Sequence, residues 1–222
     1  DSLNLMIPKH IGFIMDGNGR WAQQRSMPRA EGYAYGLVAL YKVAKRCSER
    51  GVEAVSVYAF STENNGRPEE EIEAIAKVVQ KFNLTYDGDY KISYMGDISS
   101  LPDGLASSIE TVEENTADNK GMWLNIAFNY GGRADIIHAA KVAYDHGEFI
   151  EDTFESHLSS SHLPPLDAVV RTGGEKRLSN FMLYESAYAE LFFLDKLWPD
   201  MDENDVDKII DEFESRNRKF GK

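Results

Sequence analysis

The feature that most constrains the fold of this 222-residue chain is an alternation of short apolar segments with amphipathic ones. Short apolar runs bounded by turn residues are typical of strands buried on both faces. They lie at residues 11–15, 52–60, 91–95, 122–128, 166–170 and 191–193. Helical patterns with apolar residues three or four positions apart follow them. These patterns cover residues 37–47, a segment opened by Pro68, and residues 103–119, 133–146 and 203–219. The order predicts an α/β fold: a single domain of residues 1–222 with a mostly parallel central sheet flanked by helices.

Polar segments follow four of the predicted strands directly. They begin after Met15, Phe60, Phe128 and Val170. In a parallel sheet the carboxyl ends of the strands share one edge, and ligands bind outside that edge. We therefore expect a ligand site formed by these four segments.

The segment after the first strand, residues 16–21, reads Asp-Gly-Asn-Gly-Arg-Trp. Its glycines allow the backbone to approach a ligand, and the N–H groups of a helix that followed would face an anion. Asp16 is a hard oxygen ligand of the kind that Mg²⁺ prefers, Arg20 supplies a charge-assisted donor, and Arg25 and Arg29 follow closely in sequence. The pattern suits a Mg²⁺–diphosphate ligand, although a tight turn with a solvated Asp16 would give the same residues.

Residues 60–68 contain small hydroxyl and amide side chains, among them Ser61, before Arg67 and a helix start. Taken alone, this segment reads as an ordinary turn that caps a helix.

Residues 171–180 contain a second cluster of anion-binding side chains: Arg171, Arg177 and Ser179. The chain has 24 basic and 37 acidic residues, a net charge of −13, which excludes an overall basic surface for nucleic acid or anionic lipid. Any bound anion must be held locally. Arginines gathered at one strand end therefore indicate a phosphate site rather than solvated surface.

Other classes of site are disfavoured by residues that the chain lacks. The single cysteine, Cys47, excludes an internal disulfide framework and a cysteine-based zinc site, so we expect a reducing, cytoplasmic location. The five histidines show no metal-ligand spacing, and neither a signal peptide nor a membrane-spanning apolar run is evident. A nucleotide-binding protein would need a P-loop lysine or a complete dinucleotide fingerprint, and the sequence contains neither.

Taken in order, these motifs resemble those of the cis-prenyltransferases, the family typified by undecaprenyl diphosphate synthase. The resemblance covers nearly the whole chain, and its strongest segments are MDGNGRWA, YAFSTEN, NYGGR and RTGGEKRLSNFMLYESAYAELFFLDKLWPD. It implies a single-domain homodimer that uses Mg²⁺ and binds two prenyl diphosphates. It implies no nucleic-acid partner and at most weak association with a membrane surface.

The resemblance also implies roles for individual residues. Asp16 would be the essential metal-linked carboxylate, with Glu190 as the second metal contact. The allylic diphosphate site would comprise Gly17, Asn18, Gly19, Arg20, Trp21 and Arg29. The second diphosphate would be held by Arg171, Arg177 and Ser179. Ser61, Asn64 and Arg67 would lie on a loop beside the substrates, with Ser61 and Asn64 taking part in catalysis.

Three positions depart from the family pattern. Tyr33 stands where the family usually has a histidine beside the allylic diphosphate, and Asn65 stands where a tryptophan shapes the site near the reacting carbons. Both are expected to contact substrate. Lys176 replaces a frequent histidine, and an ammonium group cannot ligate Mg²⁺.

These departures resemble the lavandulyl-type branch of the family. The stretch from 68 to 96 is also short for a long-chain enzyme. The resemblance therefore implies condensation of dimethylallyl or geranyl diphosphate with a second five-carbon prenyl diphosphate, giving a short product branched by head-to-middle coupling. Linear cis elongation with isopentenyl diphosphate is the alternative. A non-catalytic accessory subunit is a third, opposed by the retained Asp16 and arginines.

Overall fold

Six strands form the centre of the molecule in the computed structural model, which describes residues 6–216 apart from the side chains of Asn64 and Asn65. The strands are β1 His10–Ile14, β2 Ala54–Ser61, β3 Lys91–Met95, β4 Trp123–Tyr130, β5 Ala168–Arg171 and β6 Glu190–Phe193. Each overlaps a predicted strand. All six lie in one sheet with the order β3-β4-β2-β1-β5-β6, and all five neighbouring pairs are parallel. The prediction of an α/β fold with a parallel sheet is confirmed.

Seven α-helices surround this sheet in the described part of the chain. They are α1 Asn18–Gln23, α2 Gly32–Glu49, α3 Glu69–Thr85, α4 Asp103–Thr116, α5 Gly132–Asp145, α6 Glu151–Phe154 and α7 Glu203–Ser215. Two of these, α1 and α6, are a few residues long and were not identified from apolar periodicity, which needs more turns to become visible. Short 3-10 turns occupy Arg29–Glu31, Thr62–Gly66, Glu155–His157, Glu185–Tyr188 and Trp198–Asp200.

β1 lies in the middle of the sheet, with β2 on one side and β5 on the other. Ile14, the last residue of β1, is paired with Tyr58 of β2 and with Arg171 of β5. After β1 the chain forms β2, β3 and β4, which lie on one side of β1 in the spatial order β2-β4-β3, and it then forms β5 and β6 on the other side. Such a switch point leaves a crevice at the carboxyl ends of the strands, where ligands bind.

One face of the sheet is covered by α2, α3, α4 and α7, which form the larger core with the strands. Ile11 of β1 and Val55 and Val57 of β2 are completely buried there. Full burial of a side chain of this size contributes about 1.5–3 kcal/mol. The opposite face carries a smaller core in which Phe181 and Met182, from the segment after β5, pack on the sheet. These two layers hold the strand ends in fixed positions.

No helix among the described residues is long and apolar enough to cross a membrane.

Candidate active site

Asp16 lies just beyond β1 and faces Arg171 at the end of β5. Nη2 of Arg171 is 3.1 Å from Oδ2 of Asp16, and Nη2 of Arg20 is 3.4 Å from Oδ1. The backbone of Asp16 is fixed by Thr172, whose hydroxyl accepts from the Asp16 N–H at 3.0 Å and donates to the Asp16 carbonyl at 2.7 Å. Two guanidinium cations therefore lie against one partly exposed carboxylate at the edge of the sheet.

Gly173 allows this close approach. Its φ is +89°, and a methyl group in place of its hydrogen would lie 2.6 Å from Nη2 of Arg20 and 3.0 Å from Cγ of Asp16. A residue with a side chain would be strained in this backbone conformation and would push the ion pair apart.

Arg171 also organises the third polar segment. Its Nη1 donates to Oγ of Ser179 at 2.6 Å and to the carbonyl of Arg177 at 2.9 Å. The side chain of Arg177 is half exposed and pairs with Glu175 at 2.6 Å. The three residues predicted for the second diphosphate are thus brought together next to Asp16.

The first turn of α1 forms the other wall of the crevice. Gly17 precedes the helix with a φ of +110°, and no side chain caps the helix, so its first N–H groups are available to an anion. The guanidinium group of Arg29 lies over Gly19, since a methyl group there would be 2.6 Å from Cζ of Arg29. Arg29 is thus held beside the Gly-rich turn, as predicted for an allylic diphosphate site.

Glu71, in the first turn of α3, links three of the predicted residues. Its carboxylate accepts from Nε of Arg29 at 2.8 Å and from the hydroxyl of Tyr33 at 2.9 Å. The same hydroxyl accepts from Nη1 of Arg67 at 2.8 Å. Glu71 is only 5% exposed. Burial opposes its ionisation, but the hydrogen bonds from Arg29 and Tyr33 outweigh it and lower its pKa.

Sequence reasoning missed Glu71. The three glutamates after Pro68 have the pattern of acidic residues that favour a helix N-terminus, and this pattern does not distinguish the one that points inward. Burial also raises the pKa of Tyr33 to about 12, so its hydroxyl remains protonated and donates to Glu71 at neutral pH.

These groups surround the mouth of a cavity of about 390 Å³. Beyond the mouth, the cavity runs between the sheet and the helices α2 and α3, and its walls become apolar. The apolar lining comprises Leu37, Leu40, Val57, Phe60, Ile75, Val78, Val79, Phe82 and Ile126. Phe82 lies three helical turns beyond Glu71 along α3 and packs against the rings of Tyr41 and Tyr86. The site can therefore accept a ligand with an anionic head and a hydrocarbon tail.

Most of the predicted substrate-binding residues line this cavity. They are Asp16, Gly17, Asn18, Gly19, Arg20, Arg29, Tyr33, Ser61, Arg67, Arg171, Arg177 and Ser179. The hydroxyl of Ser61 donates to Oε2 of Glu63 at 3.1 Å. The predictions for Asn64 and Asn65 concern side chains outside the part of the chain that the structure describes.

Trp21 does not line the cavity, contrary to its predicted place beside the substrate. Its indole N–H donates to Asp200 at 2.7 Å, and its ring packs between Arg25 and Tyr35. The helical turn of α1 directs Trp21 away from the crevice while Gly19 faces it.

Glu190 also lies elsewhere. It begins β6 and is paired with Ala168, which is level with Ile11 near the start of β1. Asp16 lies beyond the opposite end of β1, so Glu190 and Asp16 cannot share one ion within a single chain. Instead Oε2 of Glu190 accepts from Nη1 of Arg216 at 3.0 Å. The expectation that both carboxylates belong to one metal site is not met by one copy of the chain.

Comparison with known proteins gives one consistent family. A prenyltransferase family model, described as undecaprenyl diphosphate synthase, matches residues 14–221. The isoprenyl transferases of Neisseria gonorrhoeae and Streptococcus mutans are each 42% identical to the chain, cover 97% of it, and are themselves covered over 90% and 93% of their length.

Two solved structures have the same fold along 97% of this chain and 99% of their own, each at 32% identity. Lavandulyl diphosphate synthase from Lavandula x intermedia, in complex with dimethylallyl diphosphate, superposes with a TM-score of 0.90. A probable undecaprenyl diphosphate synthase from Campylobacter jejuni superposes with a TM-score of 0.83.

Proposed function

The chain belongs to the undecaprenyl diphosphate synthase family of prenyltransferases, and we propose that it joins an allylic prenyl diphosphate to a second five-carbon prenyl diphosphate. The allylic substrate is dimethylallyl or geranyl diphosphate. The observation that carries the proposal is the polarity of the cavity, with arginines and one carboxylate at its mouth and aliphatic side chains beyond. A prenyl diphosphate has the same division, and its two ends would be held by the two parts of the cavity.

The residues at the mouth fit Mg²⁺. This ion is commonly bound in proteins through one or two carboxylates and substrate phosphates. Asp16 supplies such a carboxylate. It already forms ion pairs with the guanidinium groups of Arg171 and Arg20, so its position at the mouth favours cations. When bound, Mg²⁺ would neutralise charge on the diphosphate oxygens as the leaving group departs.

The chain's own residues supply the rest of the chemistry. Arg20 and Arg29 hold the allylic diphosphate, whose C–O bond breaks with the electron pair leaving on diphosphate. Arg171, Arg177 and Ser179 hold the second substrate, whose alkene supplies the electrons of the new C–C bond. The resulting cation loses a proton, for which a diphosphate oxygen is a base within reach of the reaction. The apolar walls exclude water that would otherwise capture the allylic cation.

We propose that the product is short and branched by head-to-middle coupling. Two observations support this: Tyr33 replaces the usual histidine in the mouth of the cavity, and the bulky ring of Phe82, packed against Tyr41 and Tyr86, lines the apolar part. The likeness to lavandulyl diphosphate synthase supports it further. Linear elongation with isopentenyl diphosphate is the second candidate, favoured by the isoprenyl transferases at 42% identity.

A homodimer would explain two features that one chain leaves without a function. Glu190 lies far from Asp16, so we propose that it reaches a metal site only in a dimer. Side chains around α5 and α6 form an exposed apolar face: Ile137, Tyr144, Phe149 and Ile150 are each 60–76% exposed. Several large, exposed apolar side chains along one stretch of chain are typical of a protein interface. Sedimentation velocity should find a dimer, and Tyr144→Glu should shift it towards monomer; a monomeric wild type with full activity would contradict the proposal.

The reaction is tested by incubating the enzyme with Mg²⁺ and pairs of prenyl diphosphates. One set contains dimethylallyl or geranyl diphosphate with isopentenyl diphosphate, and the other omits isopentenyl diphosphate. Mass spectrometry and NMR of the dephosphorylated product then give chain length and skeleton. A branched product in the second set supports head-to-middle coupling, and a linear cis product formed only in the first set establishes elongation. Absence of product in both sets would contradict both reactions and favour a non-catalytic accessory subunit.

A further inference from the structure

Two histidines and a glutamate meet at the end of α5, well away in sequence from every motif of the cavity. His146 follows the helix directly, Glu148 comes two residues later, and His157 ends the 3-10 turn Glu155–His157. Nε2 of His157 is 2.8 Å from Oε2 of Glu148. One ligand atom from each of the three residues lies within 4.8 Å of the other two. The fold thus creates a ligand set that the spacing of histidines along the chain did not indicate.

The backbone on both sides of this cluster is held by hydrogen bonds. Gly147, with a φ of +70°, donates to the carbonyl of Tyr144 at 3.0 Å, and the Glu148 N–H donates to the carbonyl of Ala143 at 2.8 Å. The hydroxyl of Thr153 donates to the Glu148 carbonyl at 2.5 Å. The segment that carries Glu148 is therefore ordered against the end of α5 before any ion binds, which reduces the entropy lost on binding.

The three donors are those that Zn²⁺ selects. Two imidazoles and one carboxylate form a known zinc ligand set, with bonds of about 2.0–2.2 Å that leave tetrahedral ligand atoms roughly 3.4 Å apart. The His157–Glu148 pair, at 2.8 Å, is closer than this, and all three ligand atoms lie within 4.8 Å of one another, so small side-chain movements suffice to reach that spacing. The Glu148 side chain is 50% exposed and can rotate, whereas His157, at 12%, is held. Mg²⁺ prefers six oxygen ligands, so this cluster differs in kind from the carboxylate site at Asp16.

We propose that His146, Glu148 and His157 bind one Zn²⁺ ion, with water in the fourth position. The ion would fasten the end of α5 to the 3-10 turn and so fix the intervening residues, including the exposed Phe149 and Ile150. This site is independent of the prenyl transfer reaction and does not need either substrate.

The test uses the full chain without a polyhistidine tag, stripped with EDTA, desalted and saturated with Mg²⁺. Equilibrium dialysis against Zn²⁺, with metal analysis by mass spectrometry, should find one ion per chain. His146→Ala, Glu148→Gln and His157→Ala should each lose it. His138→Ala is the matched control, because His138 is an exposed histidine on the same helix, and it should bind as wild type does.

Co²⁺ provides a second readout, since a tetrahedral nitrogen and oxygen site gives visible absorption bands that octahedral aqueous Co²⁺ lacks. These bands should appear in wild type and in the control and be absent from the three variants. Zn²⁺ should likewise raise the melting temperature of wild type by a few degrees and leave the variants unchanged. Zinc binding that is absent from wild type, or equal in all variants, would overturn the proposal. If one variant fails to fold, the other two decide.

Discussion

The hydroxyl group of Tyr33 donates a hydrogen bond to Oε2 of Glu71 at 2.9 Å. It joins α2 to the first turn of α3 and, because it also accepts from Arg67, it ties the segment after β2 to the same point. Glu71 in turn holds Arg29 over Gly19. Tyr33 therefore positions Arg67 directly and Arg29 through Glu71, both at the mouth of the cavity.

Removing this hydroxyl should weaken substrate binding more than it weakens the fold. In Tyr33→Phe, Arg67 and Glu71 each lose a partner, and hydrogen bonds to charged groups contribute about 1.5–3 kcal/mol. We expect kcat/KM for the allylic diphosphate to fall about 10–100-fold, mainly through KM. Tyr33→His should recover part of the loss, because an imidazole can still donate to Glu71.

Tyr35→Phe is the matched control for that change. Tyr35 lies on the same helix, is 45% exposed and does not line the cavity. Steady-state kinetics should find it unchanged. Equal losses in Tyr33→Phe and Tyr35→Phe would show that the network around Glu71 does not position substrate.

Neutralising Asp16 should remove the metal dependence of the reaction. Asp16→Asn keeps the size of the side chain and the backbone hydrogen bonds to Thr172, but leaves Arg171 and Arg20 without their carboxylate. Losing one electrostatic contact to the developing charge typically costs 10²–10³-fold in kcat. The measurement is initial rate against Mg²⁺ concentration, with circular dichroism to verify the fold. A variant with wild-type rate and Mg²⁺ dependence would remove Asp16 from the mechanism.

Enlarging the deep end of the cavity should lengthen the product. Phe82 lies eleven residues after Glu71, about 16 Å along α3, and it lines the apolar part of the cavity. We expect Phe82→Leu to shift the products formed from isopentenyl diphosphate, or the allylic substrates accepted, towards longer chains. Leu84→Ala, an exposed position on the same helix, should leave the distribution unchanged. Mass spectrometry of the dephosphorylated products decides, and identical distributions would place the limit on chain length elsewhere.

Acid should destabilise the protein partly through His10. Burial lowers the pKa of His10 to about 4, against 6.5 in an unfolded chain. Between these values the unfolded chain binds the additional proton, so stability is lost as pH falls from 6.5 towards 4 and is present above 6.5. The full contribution is about 3 kcal/mol. Urea unfolding of His10→Gln between pH 7.5 and 5 should show a shallower loss than wild type; parallel curves would mean that His10 does not titrate in this way.

The strands, their parallel arrangement and most of the polar residues that line the cavity could be predicted from sequence because the signals are local. Each apolar run is followed at once by its polar segment, so the parallel sheet alone brings Asp16, Arg171 and the Gly-rich turn to one edge. The assignment of Tyr33 to the cavity depended on a motif resemblance, and the structure puts its side chain there. Trp21 does not line the cavity, because the motif gives its position in sequence but not the side of α1 on which it lies.

The sequence by itself determined which elements form and which charged residues gather at the strand ends, since periodicity and adjacency are properties of neighbouring residues. Tertiary structure alone decided that Glu71 points inward, that Glu190 begins its strand at the far end from Asp16, and that His146, Glu148 and His157 meet. The first depends on the rotation of α3 about its axis, the second on the register between β5 and β6, and the third on the path of the loop that follows α5. Packing between distant segments sets those relationships, and no local pattern records them.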